Sequence, residues 1–566
     1  MDMDQRHTVW KQAIAAGFER PRLPPETEPA TVINAAMHAV EEHLLASPHV
    51  RAYLEAEPKG LGTDCPDSPI DELVKYVANQ KGLVDKSDPA LNLRFLRTFV
   101  IPVLRLEQDT VTACLAENRD ISAGEMRLVL ECRTLSEAVD GLWAAWFARL
   151  VVPHHSLPKA AKEHAEQAMR GTLAQYDYTA YDYDPVKGFV GRAPWAIAFP
   201  REIAAIRSAL AELKTTRLPG LADYFSALDA AYACEDIDRL EELWTLVDVA
   251  WIRIPRSVRF VPVHNIESGY EHPFGVSPEF RLEARTDIDQ GLIAARRIAT
   301  AAHAATFGLK QEVIDALGPK LERIDIGVFV TTLRAGVSCN FRYAGQAAPN
   351  RPEVTAEGAR IFIDKSASVR SVGTYTAALT KHCTPATSSA LSSLISGQSQ
   401  TESTTTHEYA HMVGRTAQSD AALGRLPMSL CEEAKATLLG ILADEHLEPT
   451  ASHRRALVAN AVGRVVRFMN TALLESTTLA PYVRENLAAA TMLFESGVMS
   501  LTPDGLVVHL ELADGPVWFD ALRVFNHGVL HAYQAHDAAA LQQLAARYCS
   551  REHPQVAALI AWVNRK

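Results

Sequence analysis

Apolar residues recur at helical spacing over most of the chain up to about residue 250. ATVINAAMHAVEEHLLA (30–46) and SEAVDGLWAAWFARLVV (136–152) each set them three and four positions apart, on one face of a helix. Stretches rich in proline and glycine at 57–69 and 184–195 read as loops. The pattern changes after Trp251. RFVPVHNI (259–266), IGVFVTTL (326–333) and ARIFIDK (359–365) are β-branched runs that predict strands, with a long helix around 287–307 between the first two. From about residue 400 helices return, broken by a hairpin whose turn is Pro503-Asp504-Gly505. The polar tract SSALSSLISGQSQTESTTT (388–406) reads as a loop or the opening of a helix, because it runs straight into a helical pattern. The fold class expected from these elements is α+β, mainly helical.

Length and composition narrow this further. A chain of 566 residues is too long for one core and implies two or more domains. A formal net charge of −12 argues against nucleic acid or an anionic membrane surface as the main partner. The longest apolar run, LWAAWFARLVV (142–152), carries Arg149 and is too short to span a bilayer. MDMDQRHTVWKQ at the start lacks the basic and then apolar regions of a signal peptide. The eight cysteines are scattered without a CxxC pair, as expected of reduced thiols. The expected compartment is therefore the cytoplasm.

Candidate chemistry is concentrated in TTTHEYAHMVGR (404–415), which contains His407, Glu408 and His411 as His-Glu-x-x-His. Residues four apart share a helix face, so both histidines can point at one cation. Glu408, rotated from them, can reach a water on that cation. A catalytic zinc needs a third protein ligand and an open fourth position. Two glutamates compete for that place in LPMSLCEEAKATLLGILADEH (426–446). Ser429 and Glu432 fit a capping box, which would fold Glu432 back onto the chain and leave Glu433, 22 residues past His411, as the ligand. His527 and His531 are also four apart but lack the glutamate, and read as a helix face.

Four further segments occur in an order that resembles the dipeptidyl peptidase III family of zinc metallopeptidases. They are IESGYEHPFGVSPEF (266–280), AAPNRPEVTAEGARIFI (347–363), CEEAKATLLGILAD (431–444) and YVRENLAAATMLFESG (482–497). The resemblance covers roughly residues 258–545 and implies a two-lobed clam. A zinc-bearing helical lobe would face a lobe built on a small β-barrel across a wide cleft. Residues 1–285 would form the N-terminal helices and the start of the barrel lobe, and 286–325 a helical segment of the zinc lobe. Residues 326–385 would return to the barrel lobe, 386–545 would be the zinc-binding helical lobe, and 546–566 a C-terminal helix.

The resemblance also implies roles. His407, His411 and Glu433 would bind one Zn2+ ion, and Glu408 would act as general base and then acid. Tyr270 would donate to the oxyanion, Glu267 would recognise a free amino terminus, and Asn350 would pair with substrate backbone. Glu432 would partner a zinc-binding histidine. The implied activity is removal of short units from the amino terminus of small peptides. This chain departs from the family pattern at four places. Tyr482 stands where a histidine is expected, also facing substrate, and Thr437 where an acidic residue is expected. Ala347 replaces an asparagine, and Gly269 is an extra residue. Tyr482, Thr437 and Ala347 motivate one alternative, a zinc hydrolase or lyase of a non-peptide metabolite on the same scaffold; another is a catalytically weakened peptide-binding homologue.

Overall fold

The computed structural model describes residues 3–48, 50–51, 89–160, 178–184, 186–265, 276–286, 290–340, 345–349, 354, 358–475 and 480–565. The chain divides into two compact units. The first holds residues 1–286, 329–342 and 348–357, and the second residues 287–328, 343–347 and 358–566. The loop expected at 57–69 lies outside the described residues. No described helix is long and apolar enough to cross a membrane.

The first unit is built on helices Pro29–Ala46 (α1), Ile101–Ala116 (α2), Ala123–Trp146 (α3), Pro200–Leu213 (α4), Leu221–Tyr232 (α5) and Leu240–Ile252 (α6). α3 starts at a complete capping box, Ser122 with Glu125, and passes through a π-helical turn at Phe147–Val151 before the helix continues. The segment 184–195, expected to be a loop, is instead mostly a strand. Thr179–Asp184 (β1) and Gly188–Pro194 (β2) pair antiparallel with an irregularity after Asp182. Glycine and proline here mark the turn and ends of a hairpin, not the absence of one.

Phe260–His264 (β3) pairs antiparallel with Glu279–Arg285 (β4), and β4 pairs antiparallel with the Phe329–Gly336 portion of Ile324–Gly336 (β5). His264 is buried, with its ring nitrogens 3.0 Å from the Tyr224 hydroxyl and 3.1 Å from Asp248.

β5 also neighbours Ala359–Asp364 (β7), which in turn neighbours Gly345–Ala348 (β6). The full strand order, β3-β4-β5-β7-β6, does not close on itself among the described residues, so they do not form the expected β-barrel. Nearly every residue of β3, β4, β5 and β7 is buried, so both sheet faces are covered. Such strands read as continuous apolar runs whether the sheet closes or is roofed by helices, and the sequence alone could not separate the two.

Six helices frame the candidate site in the second unit. They are Gln290–Ala304 (α7), Lys365–His382 (α8), Gly397–His411 (α9), Glu432–Leu447 (α10), Ala451–Phe468 (α11) and Ala480–Glu495 (α12). After them come the hairpin strands Met499–Thr502 (β8) and Gly505–Val508 (β9), then Val517–Ala535 (α13). The hairpin turns through Pro503 and Asp504, since Thr502 pairs with Gly505. α10 is buried almost all round from Ala434 to Glu445, which makes it the central helix of the unit.

The polar tract 388–406 is mostly helical. Pro385–Ser392 is one short helix, and α9 begins at a Ser396–Ser399 capping box. Its threonines stay helical by turning their hydroxyls onto the backbone one turn back. Thr401 donates to the Gly397 carbonyl at 3.1 Å, Thr404 to Gln400 at 2.8 Å, and Thr405 to Thr401 at 2.8 Å.

Candidate metal centre

α9 delivers His407 and His411 from its last turns, and α10 delivers Glu433 from its first. The two imidazole Nε2 atoms are 3.1 Å apart. Glu433 Oε2 lies 3.5 Å from His407 Nε2 and 3.8 Å from His411 Nε2. These three make up a group that could hold a metal ion. Glu433 Oε2 is buried and accepts no hydrogen bond. A buried, unsatisfied carboxylate oxygen facing two imidazole nitrogens needs an explanation, and a cation supplies one.

The close approach of the two helices has a specific cause. Gly440 lies where α10 crosses α9. A Cβ there would sit 3.0 Å from the His407 backbone nitrogen and 3.1 Å from the Thr406 carbonyl carbon. One turn on, Thr406 donates to Asp444 Oδ2 at 2.9 Å, and Arg296 of α7 ties Asp444 and Glu402 together at 3.2 and 2.8 Å.

Glu432 does not fold back to cap α10. The N-cap residue is Cys431, with no side-chain cap bond, and Arg425–Ser429 is a separate short helix. The capping premise for choosing between the glutamates therefore fails, because the chain turns between Ser429 and Glu432. Glu432 instead accepts from His411 Nδ1 at 3.0 Å, from Lys435 Nζ at 3.0 Å and from the Tyr533 hydroxyl of α13 at 2.5 Å. Burial alone would raise its pKa, but Lys435, His411 and Arg415 hold it well below the usual carboxylate range. An ionised carboxylate only accepts, so His411 presents a proton to it from Nδ1, which leaves Nε2, facing Glu433, as the nitrogen able to ligate a cation.

Lys435 also closes the end of α9. Its fully buried ammonium donates to the carbonyls of Ala410, His411 and Val413 at 2.9, 3.2 and 3.2 Å. The Ala410 carbonyl also accepts the Val413 N–H at 3.1 Å, and the lysine gives all three carbonyls a charged donor where water is excluded.

Charge in the metal-free group is consistent with a cation site. Burial opposes a charge on His411, yet Glu433 and Glu432 outweigh it and raise its pKa. Burial likewise pushes Glu433 up, but His411 and His407 bring it down to about 2. Two carboxylates thus stay ionised beside the imidazoles, at the N-terminus of α10 where negative charge is favoured.

Glu408 is buried on α9, and a Cβ on Gly345 of β6 would lie 2.9 Å from its Oε1. The backbone of β6 therefore passes directly against this carboxylate. Thr437 places its hydroxyl 2.8 Å from His407 Nδ1. In the same unit Glu485 of α12 is buried, and its Oε2 accepts from Arg464 of α11 at 2.9 Å. Burial raises the Glu485 pKa, with Arg464 and His407 opposing.

The other expected residues are not part of this group. Tyr482 is 38% exposed on the first turn of α12. Ala347 is partly buried against the core of the unit. Glu267, Gly269, Tyr270 and Asn350 lie outside the described residues. His527 and His531 have ring centroids 4.1 Å apart on α13, and His531 Nε2 is 3.1 Å from the Phe307 carbonyl. Sequence reasoning missed Lys435, Glu485, Tyr533, Gly345 and Gly440. A charged residue inside an otherwise apolar helix was the available signal for Lys435 and Glu485.

No protein-family model matches this chain, and no curated protein matches it in sequence. Solved structures do. DPP III from Caldithrix abyssi is 14% identical, with a TM-score of 0.54 and 98% of each chain covered. Dipeptidyl-peptidase III from Corallococcus sp. strain EGB is 15% identical, with a TM-score of 0.51 and 96% of this chain and 97% of that one covered. The likeness runs the length of both chains at an identity too low to carry residue roles, and what it shows is that this chain has the dipeptidyl peptidase III fold.

Proposed function

We propose that the chain is a zinc-dependent exopeptidase that hydrolyses short peptides from the amino terminus. The observation that carries this reading is the meeting of His407 Nε2, His411 Nε2 and Glu433 Oε2 within 3.1–3.8 Å of one another. Ligand atoms around a tetrahedral zinc at ~2.05 Å are separated by ~3.3 Å, so the three positions fit the ion. The unsatisfied Glu433 Oε2 and the outward-held Nδ1 of His411 fit it too. The dipeptidyl peptidase III fold supports a peptide as the substrate class.

When bound, zinc supplies Lewis acidity to polarise a scissile carbonyl and to acidify a water molecule. The remaining work falls to side chains. Glu408 takes the proton of the attacking water on its carboxylate and delivers it to the leaving amine. Burial against β6 keeps that carboxylate in one place between the two transfers. Glu432 and Lys435 fix the His411 ring and the end of α9, so the ligand face is set before substrate arrives. In the same reading Tyr270 donates to the oxyanion, a contact worth ~3 kcal/mol in the transition state. Glu267 receives the substrate amino terminus, and Asn350 and Tyr482 contact the substrate.

The test compares zinc-loaded wild type with zinc-loaded Glu408→Gln on dipeptidyl arylamides and a panel of short peptides, with products identified by mass. Cleavage after the second residue, lost in the variant at equal zinc content, is the expected result. Stoichiometric zinc without cleavage of any peptide would overturn the peptidase reading and point to a small metabolite as substrate.

A further inference from the structure

We propose that Tyr533 is a positioning residue for the metal centre, acting on His411 through the carboxylate of Glu432. The proposal rests on the zinc reading above and concerns what holds one ligand ring at its angle. His411 gives a proton from Nδ1 to Glu432 Oε1 at 3.0 Å, and its Nε2 faces Glu433 Oε2 at 3.8 Å. The direction in which this imidazole can ligate is therefore set by Glu432. A glutamate fixes its own carboxylate poorly, because the torsion that turns the two oxygens is broad and roughly two-fold. A group outside residue 432 has to stop that rotation.

Lys435 lies close enough but is not sufficient. Its ammonium has three hydrogens to share among Glu432 Oε1 at 3.0 Å and the carbonyls of Ala410, His411 and Val413 at 2.9, 3.2 and 3.2 Å. It also meets the same carboxylate oxygen as His411, which leaves Oε2 to be held by something else. Tyr533 holds it. The hydroxyl donates to Oε2 at 2.5 Å, and the side chain is fully buried, so water does not compete for the bond. Anchored at both oxygens, the carboxylate keeps its plane and Oε1 stays on His411.

The packing of α13 suits it to this task. Gly414 follows α9 with φ at +75°, and a Cβ there would lie 2.5 Å from Leu530 Cδ2 and 3.8 Å from Tyr533 Cδ2. The helix that supplies the hydroxyl thus runs against the backbone just beyond His411. Lys435 Nζ sits 5.8 Å from the Tyr533 ring centroid, a further contact of the same ring with the group that closes α9.

The experiment measures zinc affinity of the full chain by competition with a chromogenic chelator, in wild type, Tyr533→Phe, Glu432→Gln and the double variant. The Co2+ absorption spectrum reports coordination, and unfolding of the metal-free proteins reports packing separately. Glu432→Gln should weaken affinity ~10-fold or more, and Tyr533→Phe, one bond further out, ~3-fold to ~10-fold with an altered Co2+ spectrum. The double variant should lose no more than Glu432→Gln alone, because both changes cut the same chain of bonds. Para-aminophenylalanine in place of Tyr533 keeps an N–H donor and should restore part of the affinity. Should Tyr533→Phe fail to fold, para-fluorophenylalanine at that position, which fills the volume without a donor, is read instead. Should Glu432→Gln fail to fold, Glu432→Gln/Lys435→Met, which removes both buried charges, serves as the background.

Wild-type affinity and spectrum in Tyr533→Phe, or multiplied losses in the double variant, would reduce Tyr533 to a packing residue and overturn the proposal. Absence of zinc binding by wild type would overturn the metal reading itself, and this one with it.

Discussion

Replacing Gly440 by alanine tests whether the crossing of α9 and α10 sets the metal centre. The added Cβ would meet backbone atoms: the His407 nitrogen at 3.0 Å, the Thr406 carbonyl carbon at 3.1 Å and the His407 Cα at 3.2 Å. Backbone in mid-helix cannot rotate away as a side chain can. Ordinary carbon contacts lie at ~3.5–4.0 Å, so the helices must part by ~0.5 Å. His407 is on one helix and Glu433 on the other, so the gap between two ligand atoms widens by a similar amount. Metal–ligand distances tolerate ~0.2 Å, and the expected cost is a ~10-fold or greater loss of zinc affinity. Stability responds to two opposed effects. Alanine gains ~1 kcal/mol of helix propensity over glycine, and overpacking costs ~1–3 kcal/mol. The net change is a destabilisation of up to ~2 kcal/mol. Chelator competition and denaturant unfolding of the metal-free chain read the two quantities separately. A variant that binds zinc like wild type and gains ~1 kcal/mol would refute the reasoning, since it would show that the crossing has room to spare.

Three further outcomes are expected. Lys435→Met removes a fully buried cation from Glu432 and from three carbonyls at the end of α9, and should cost ~3–5 kcal/mol in unfolding of the metal-free chain. Gly345→Ala presses a methyl onto Thr404 Cγ2 at 2.6 Å and Glu408 Oε1 at 2.9 Å, both on α9, and should lower kcat on a cleaved peptide while leaving zinc affinity unchanged; equal losses in both would place the effect on the metal instead. The pH profile of metal-free stability should be a plateau with two edges. Glu433, depressed from 4.5 to about 2, contributes stability that is complete above about 4.5 and lost as pH falls towards about 2. His411, raised from 6.5, contributes stability that is complete below 6.5 and lost as pH rises through its folded value. Zinc must displace that proton, so its affinity should climb with pH until the raised folded value of His411 is passed and then level off, and calorimetric titrations in buffers of different ionisation enthalpy will count the protons released.

The parts of this structure legible in the sequence are those set by local spacing. The i, i+4 interval places His407 and His411 on one face, and Pro503-Asp504 before Gly505 makes a tight hairpin turn. Reading failed where a local signal had a tertiary competitor. Ser429 and Glu432 have the capping spacing, but His411, Lys435 and Tyr533 offer Glu432 better partners, and the helix starts elsewhere. The threonine-rich run before His407 resembles a loop by composition, yet it bonds its hydroxyls to its own helix. Closure of the sheet was illegible because burial on both faces has two architectural causes. Thr437 reads as a lost acidic residue in one dimension; that its hydroxyl still lies 2.8 Å from His407 Nδ1 is visible only in the packed structure.

The most direct test of the zinc centre is X-ray absorption at the zinc edge on the chain loaded with one equivalent of metal. The account predicts two imidazole nitrogens and one carboxylate oxygen at ~2.0–2.2 Å with one exchangeable oxygen ligand, and loss of an imidazole in His407→Ala. Sulfur in the first coordination sphere, or a spectrum unchanged by both His407→Ala and Glu433→Ala, would contradict it.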